Sequence, residues 1–159
     1  MSSIERVRAF LKEKGFDQKI QEFDVSSATV ELAAQALGVE GARIAKSLTF
    51  HMEGGALMVV AAGDAKIDNA RFKATFHMKA KMLSPDEAVA LVGHAVGGVC
   101  PFAVNEGVRI CLDESLKRFS TVFPACGSAN SAIELTIPEL EALSGGEWVD
   151  VCKAWREGE

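Results

Sequence analysis

The chain has 159 residues, of which 48% are hydrophobic and 25% are charged, and its formal net charge is −5. This composition is typical of a globular protein and excludes a disordered or fibrous chain. The negative charge argues against sequence-independent DNA binding, which requires a basic surface. No apolar run is long enough to span a membrane, and the N-terminus lacks the apolar stretch of a secretory signal. We therefore expect a single cytoplasmic domain over residues 1–159.

The helix signals of the chain are caps, glycine stops and apolar residues that recur at helical spacing. They predict helices from the Ser2–Glu5 capping pattern to Gly15, from a cap at Ser26, Ser27 or Thr29 to Gly38, over 69–76 after Asp68, from the Ser84 capping box to Gly93, and over 138–144.

Strands are predicted where apolar residues alternate or run together between turn residues. The predicted strands cover residues 19–23, 44–52, 56–62, 108–112, 121–123, 133–136 and 148–152. Residues 53–55 read as a hairpin turn, and residues 56–62 are apolar on both faces, which favours a strand in the centre of a sheet. The irregular alternation of helices and strands favours an α+β fold on a mixed sheet.

Lys46 interrupts the apolar pattern of the strand predicted over 44–52. In a strand, alternate residues share a face, so Lys46 lies on the same side as Ile44, Leu48 and Phe50. A desolvated ammonium needs a partner or a function. The alternative is that the strand begins at Ser47 and that Lys46 extends to solvent from its rim.

Residues 64–81 carry five basic and two acidic side chains. Such a segment either contacts phosphate groups or forms a solvated face. The pattern leaves both interpretations open.

Two glycine-containing loops are further candidates for a functional site. Gly97 and Gly98 precede Cys100 and Pro101, and paired glycines allow backbone N–H groups to approach a phosphate or an oxyanion; the alternative is a plain tight turn. Gly127 and Ser128 lie in a second loop of this kind. Cys100 near His94 is a candidate nucleophile, although the interpretation as a small buried packing residue is favoured.

Metal and cofactor motifs are missing from the sequence. The four cysteines are widely spaced, and there is no Cys-x-x-Cys or His-x-x-x-His pair, no phosphate-binding Walker loop and no dinucleotide fingerprint. We expect reduced cysteines in the core, no metal and no cofactor.

Taken in order, these segments resemble the YbaK/EbsC family, which includes free-standing prolyl-tRNA editing proteins and the editing domain inserted in bacterial prolyl-tRNA synthetases. The resemblance covers residues 5–150. It is carried by Thr29-Val30, Ala36-Leu37-Gly38-Val39, Ile44-Ala45-Lys46-Ser47-Leu48, Gly97-Gly98-Val99-Cys100-Pro101-Phe102, Gly127-Ser128 and Ile133-Glu134-Leu135.

The resemblance implies one domain with a curved, partly barrel-like mixed sheet of about six to seven strands flanked by helices. It also implies hydrolysis of the ester between a wrong amino acid and the 3′-terminal adenosine of a tRNA, with the aminoacyl-tRNA 3′ end and prolyl-tRNA synthetase as partners. Position in the motifs matches Lys46 to the family's functional lysine and Gly97 with Pro101 to its Gly-x-x-x-Pro loop. We expect Lys46 to contact the terminal adenosine phosphate or the developing oxyanion, and we assign catalysis to Lys46 and to the backbone of Gly97, Gly98 and Val99. Substrate contacts are assigned to Thr29, Cys100, Pro101, Phe102, Gly127 and Ser128.

The amino acid that is removed stays open among alanine, serine and cysteine. This chain has Cys100 where the cysteinyl-tRNA deacylase branch of the family has serine. The sequence does not determine the oligomeric state. A module that binds aminoacyl-tRNA or a nucleotide without hydrolysis, or that docks on a synthetase, would carry the same motifs.

Overall fold

A computed structural model describes residues 1–158. Its α-helices are α1 (Ser3–Glu13), α2 (Val30–Leu37), α3 (Asn69–Phe76), α4 (Pro85–Leu91) and α5 (Ile137–Ser144). Its strands are β1 (Gln21–Glu22), β2 (Ile44–Met52), β3 (Gly55–Ala62), β4 (Lys66–Ile67), β5 (Val108–Asp113), β6 (Thr121–Pro124), β7 (Ser131–Ala132), β8 (Leu135–Thr136), β9 (Glu147–Val149) and β10 (Cys152–Lys153).

Six of the strands form one mixed sheet that curls into a half-barrel, in the order β8-β6-β2-β3-β5-β9. The pairs β2–β3 and β6–β8 are antiparallel, whereas β2–β6, β3–β5 and β5–β9 are parallel. Two small sheets, β1–β7 and β4–β10, lie outside it. The predicted α+β fold with a curved mixed sheet is thereby confirmed.

Strand β3 is the centre of the hydrophobic core. Every residue from 56 to 62 is fully buried, and the strand pairs with β2 on one edge and β5 on the other. Burying a Val, Leu or Met side chain contributes about 1.5–3 kcal/mol relative to leaving it exposed. The central, doubly covered position predicted for residues 56–62 is therefore confirmed.

Local caps define where the helices begin, as the sequence predicts. Reciprocal capping boxes join Ser2 to Glu5 and Ser84 to Glu87, and the Thr29 hydroxyl accepts from the N–H of Leu32 at 3.2 Å. The Asp68 carboxylate caps α3 in the same way. None of the helices within residues 1–158 is long and apolar enough to cross a membrane.

Several predicted strands differ in the structure. The strand predicted over 133–136 shortens to β8, which pairs with β6, while the residues just before it form the separate strand β7, which pairs with β1. Residues 148–152 are divided because the buried carboxylate of Asp113 accepts the N–H of Val151 at 2.9 Å, which takes that amide out of any ladder. The strand predicted over 19–23 shortens to β1, and the two-residue strand β4 is not predicted at all.

Candidate functional site

A cavity of about 340 Å³ lies between α2, strand β2 and the start of α4. No carboxylate and no histidine from residues 1–158 lines it. Its walls are mostly small and apolar, and alanines contribute much of them: Ala28, Ala33, Ala45, Ala88, Ala125 and Ala132. Such walls leave room for a small bound group and would offer few polar contacts to it.

Strand β2 contributes an unpaired edge to this cavity. Along one edge it pairs with β3 from Ala45 to Met52. Along the other edge it pairs only at its ends: Ile44 and Ala45 pair with β6, and further along His51 donates to the carbonyl of Lys81 at 2.8 Å. Within the described chain, nothing pairs with residues 46–48 on this second edge.

Lys46 lies inside β2 and lines the cavity, so the interpretation that places it before the strand is wrong. Its Nζ donates to the carbonyl of Gly63 at 3.3 Å and to that of Ala65. Burial lowers the pKa of the ammonium, and the nearby Cys152 and Asp64 side chains offset part of this shift. Neither Gly63 nor Ala65 lines the cavity, so these two carbonyls hold the ammonium at its margin.

The loop containing Gly97 and Gly98 closes one side of the cavity. Gly97 has a φ of +91° and lines the cavity together with Val99. The amides of Gly97 and Val99 have no hydrogen-bond partner within residues 1–158, whereas the Gly98 N–H donates to the carbonyl of Ala95 at 2.9 Å. Gly97 and Val99 can therefore offer N–H groups to a ligand, and Gly98 cannot without breaking its turn.

Gly98 instead makes a close contact between loops. A Cβ built on Gly98 would lie 2.6 Å from the backbone carbon of Gly127 and 2.7 Å from the backbone nitrogen of Ser128. Gly127 in turn has a φ of +94° and packs on the backbone of Ser3. The glycines of the two loops thus permit close packing between the loops and the start of α1.

Several residues predicted to contact substrate lie behind the cavity wall. Cys100, Pro101 and Phe102 are buried, and Phe102 stacks on Phe10 of α1 with ring centroids 6.2 Å apart. Ser128 donates to the hydroxyl of Ser131 at 2.7 Å.

The structure thus brings only part of the predicted set together. Of the predicted site residues, those that line the cavity are Thr29, Lys46, Gly97 and Val99; those that do not are Gly98, Cys100, Pro101, Phe102, Gly127 and Ser128.

Cys100 and His94 do meet, but not as a nucleophile and its base. The Cys100 Sγ lies 3.6 Å from His94 Nε2, yet Nε2 also lies 2.8 Å from the carbonyl of Phe102, which only accepts. Nε2 therefore carries the proton, and Nδ1 accepts from the Ser3 hydroxyl. Burial raises the pKa of the Cys100 thiol to about 12. A thiol without a base, at 0% exposure, is a packing residue.

The sequence model of the aminoacyl-tRNA editing domain matches residues 24–143 of the chain. These residues include α2, β2 and both glycine loops, and therefore the whole lining of the cavity. The chain belongs to the aminoacyl-tRNA editing domain family.

Relatives of this editing domain include free-standing proteins. The uncharacterized protein YwhH of Bacillus subtilis is 53% identical over 155 residues, which cover 96% of this chain and 99% of YwhH. A solved structure of a protein proposed to be a trans-editing enzyme for prolyl tRNA synthetase has a TM-score of 0.86 and 32% identity, and the match covers 96% and 98% of the two chains.

The editing domain also resembles a segment of larger enzymes. The proline–tRNA ligase of Thermotoga maritima is 33% identical over 92 residues, which cover 56% of this chain. The matched segment is 15% of the ligase, so the similarity concerns one part of that enzyme.

Sequence reasoning missed several wall residues of the editing domain. Met82, Leu83 and Val96 line the cavity but belong to no motif used in the prediction, and Ser27 and Ser47, although noted in the sequence, are not among the predicted site residues. Met82 and Val96 are 57% and 62% exposed, although both are apolar. For Met82, its apolar character directly after the basic segment 64–81 is the one signal that could have indicated it.

The basic segment of the editing domain is divided between structure and solvent. Arg71 donates to the carbonyl of Cys152 at 2.9 Å and lies 3.5 Å from a carboxylate oxygen of Asp150. By contrast, Lys79 and Lys81 are exposed and directly precede Met82 at the cavity. Arg71 therefore has a structural role that neither interpretation predicts, and both interpretations stay open at Lys79 and Lys81.

Proposed function

We propose that this protein hydrolyses the ester that joins a mischarged small amino acid, alanine, serine or cysteine, to the 3′-terminal adenosine of tRNA(Pro). The observation that carries the proposal is the alanine-walled cavity of about 340 Å³ that Lys46, Gly97 and Val99 all line. Family membership supports the same reaction class.

The chemistry proposed for the cavity relies on positioning and charge stabilisation. A water molecule adds to the ester carbonyl carbon, the bond to the ribose oxygen breaks, and that oxygen takes a proton as the free amino acid leaves. The amides of Gly97 and Val99, with Lys46, would stabilise the negative charge that develops on the carbonyl oxygen. The Lys46 ammonium has three N–H donors and uses two of them on the Gly63 and Ala65 carbonyls, so one donor remains for the substrate.

The proton acceptor in this proposal is a group of the substrate. No carboxylate or histidine of the described chain lines the cavity, and the Cys100 thiol is buried and protonated. A hydroxyl of the terminal ribose lies beside the reacting ester in any aminoacyl-tRNA. We propose that this hydroxyl assists the attack of water.

The function is tested by deacylation of Ala-, Ser- and Cys-tRNA(Pro) beside cognate Pro-tRNA(Pro). We expect hydrolysis of at least one mischarged tRNA with Pro-tRNA(Pro) spared. A pocket separates substrates that differ by one methylene by only about 1–3 kcal/mol, so the measured ratios identify the side chain that fits best. Equal hydrolysis of all four, or of none, would contradict the proposal.

A non-catalytic binding module is the second candidate, and one observation favours it. The two carbonyl partners of Lys46 would by themselves account for a buried lysine. Under this alternative the protein binds aminoacyl-tRNA, protects the ester and docks on prolyl-tRNA synthetase. Retention of mischarged tRNA on a filter without loss of the ester would identify it.

Alkylation tests the remaining role of the cysteines. Cys100, Cys111, Cys126 and Cys152 are all free and buried. We expect iodoacetamide to leave deacylation unchanged in the folded protein and to react with all four thiols in denaturant. Cys100→Ala should keep turnover within the same order of magnitude and lower the stability by about 1 kcal/mol. Inhibition in proportion to alkylation of Cys100 would restore the nucleophile hypothesis.

A further inference from the structure

The unpaired stretch of β2 faces the cavity edge-on. Six consecutive residues of this strand, 44–49, line the same cavity. Because side chains of a strand alternate between two faces, a cavity on one face would touch only every second residue. The cavity must therefore meet the edge of the strand, where its backbone groups are.

Hydrogen bonds at the end of the strand show which backbone groups point to this edge. The carbonyl of Thr49 accepts from the N–H of Leu83 at 3.0 Å, and the N–H of His51 donates to Lys81. In an antiparallel ladder, residues two apart direct both their N–H and their C=O to the same edge. By this alternation the N–H and the C=O of Ser47 point into the gap, and neither has a partner within residues 1–158.

The gap has the length of a single residue unit. Strand β6 occupies the edge up to Ala45, and residues 81–83 occupy it from Thr49 onward. Three residues of strand span about 10 Å. The gap is too short for an added peptide strand and accommodates one unit with an N–Cα–C=O backbone.

We infer that the edge at Ser47 is the subsite for the backbone of the aminoacyl group, an inference that rests on the proposed function. An aminoacyl ester carries an α-ammonium donor and a carbonyl acceptor at the spacing of a chain residue. Opposite Ser47 it exchanges two hydrogen bonds, as in a paired ladder. The α-ammonium donates to the Ser47 carbonyl, and the ester carbonyl accepts from the Ser47 N–H.

In this arrangement the strand edge and the walls of the cavity recognise different parts of the aminoacyl group. The backbone of Ser47 would recognise any L-aminoacyl group, and the alanine-lined walls would select the side chain. The cavity lining within residues 1–158 holds no carboxylate, so the acceptors for a cationic donor are hydroxyl oxygens and backbone carbonyls, and the Ser47 carbonyl is the one directed into the gap. The Ser47 N–H would add one more donor to those of Gly97 and Val99 at the carbonyl oxygen.

The test compares two non-hydrolysable ligands, 3′-alanylamido-3′-deoxyadenosine and its lactylamido counterpart, in which a hydroxyl replaces the α-ammonium. Binding is measured by calorimetry at pH 7. We expect the alanyl ligand to bind about 10- to 100-fold more tightly, the value of a hydrogen bond to a charged group. Ser47→Ala keeps the backbone and should keep this ratio.

The second readout is the amide of Ser47 in a nitrogen-15 labelled protein. The alanyl ligand should shift this amide resonance and slow its hydrogen exchange, while 3′-amino-3′-deoxyadenosine, which lacks the acyl group, should not. Equal binding of both acyl ligands, loss of the ratio in Ser47→Ala, or an unperturbed Ser47 amide would overturn the inference.

The same measurements distinguish failure of the proposed deacylase function from failure of the Ser47 subsite. If the alanyl ligand binds at Ser47 but no mischarged tRNA is hydrolysed, the subsite stands and the enzyme proposal fails. If mischarged tRNA is hydrolysed while the Ser47 amide does not respond, the enzyme proposal stands and the subsite fails.

Discussion

Replacing Lys46 with alanine is expected to lower the rate of deacylation about 100- to 1,000-fold, because it removes a charged donor from the reacting carbonyl. The variant should still fold. Its carbonyls at Gly63 and Ala65 lose their partner, and an unsatisfied buried carbonyl costs about 1–3 kcal/mol. Single-turnover hydrolysis of the best mischarged tRNA, measured below the melting temperature of the variant, checks the result.

Two controls separate catalysis by Lys46 from a structural role. Lys46→Met keeps most of the apolar stem and removes the charge, so it should lose as much activity as Lys46→Ala. Lys66→Ala removes an exposed lysine close to Lys46 and should change neither rate nor stability substantially. Near-normal turnover by Lys46→Ala together with a lowered melting temperature would show that the lysine only satisfies the two carbonyls.

Gly98→Ala is expected to destabilise the protein by about 1–3 kcal/mol and to reduce deacylation still more strongly. The added Cβ would approach backbone atoms of Gly127 and Ser128 at 2.6–2.8 Å, and backbone cannot rotate away as a side chain can. The two loops must separate, which displaces Gly97 and Val99 at the cavity. A displacement of about 1 Å at a reacting centre costs about 100-fold in rate.

Gly41→Ala is the matched control for this prediction. Gly98 and Gly41 both lack a left-handed φ, so neither substitution strains the backbone. At Gly41 the nearest atom is a methyl of Val30 at 3.4 Å, which is close to ordinary contact. Chemical denaturation and single-turnover rates should show a small effect at Gly41 and a large one at Gly98. Equal effects at the two positions would refute the role of the loop contact.

The helix starts could be predicted because their causes are local. Ser84 and Glu87 bond each other's backbone three residues apart. The carboxylate of Asp68 accepts from the N–H groups of Ala70 and Arg71 in the first turn of α3. Such interactions depend on a few neighbouring residues, so the residue types alone indicate them. The strand over 56–62 could be predicted for a similar reason. An uninterrupted run of apolar residues indicates a strand that is buried on both faces.

Prediction failed where a segment's partner is distant in the chain. The strand predicted over 133–136 shortens to β8, and residues 131–132 just before it pair instead with β1, far away in the chain. Phe102 follows a glycine loop and looks like a pocket wall, yet Phe10 of α1 covers it. The local sequence pattern does not indicate which distant segment a residue will contact.

The sequence by itself determined the family, the α+β class and the helix caps, since short-range chemistry and ordered motifs encode them. Only the tertiary structure decided which motif residues reach the cavity and where the Lys46 ammonium rests. It alone also placed the unpaired edge at Ser47. That edge exists because β6 and residues 81–83 each stop short of it, and a gap between two distant segments is a property of their packing.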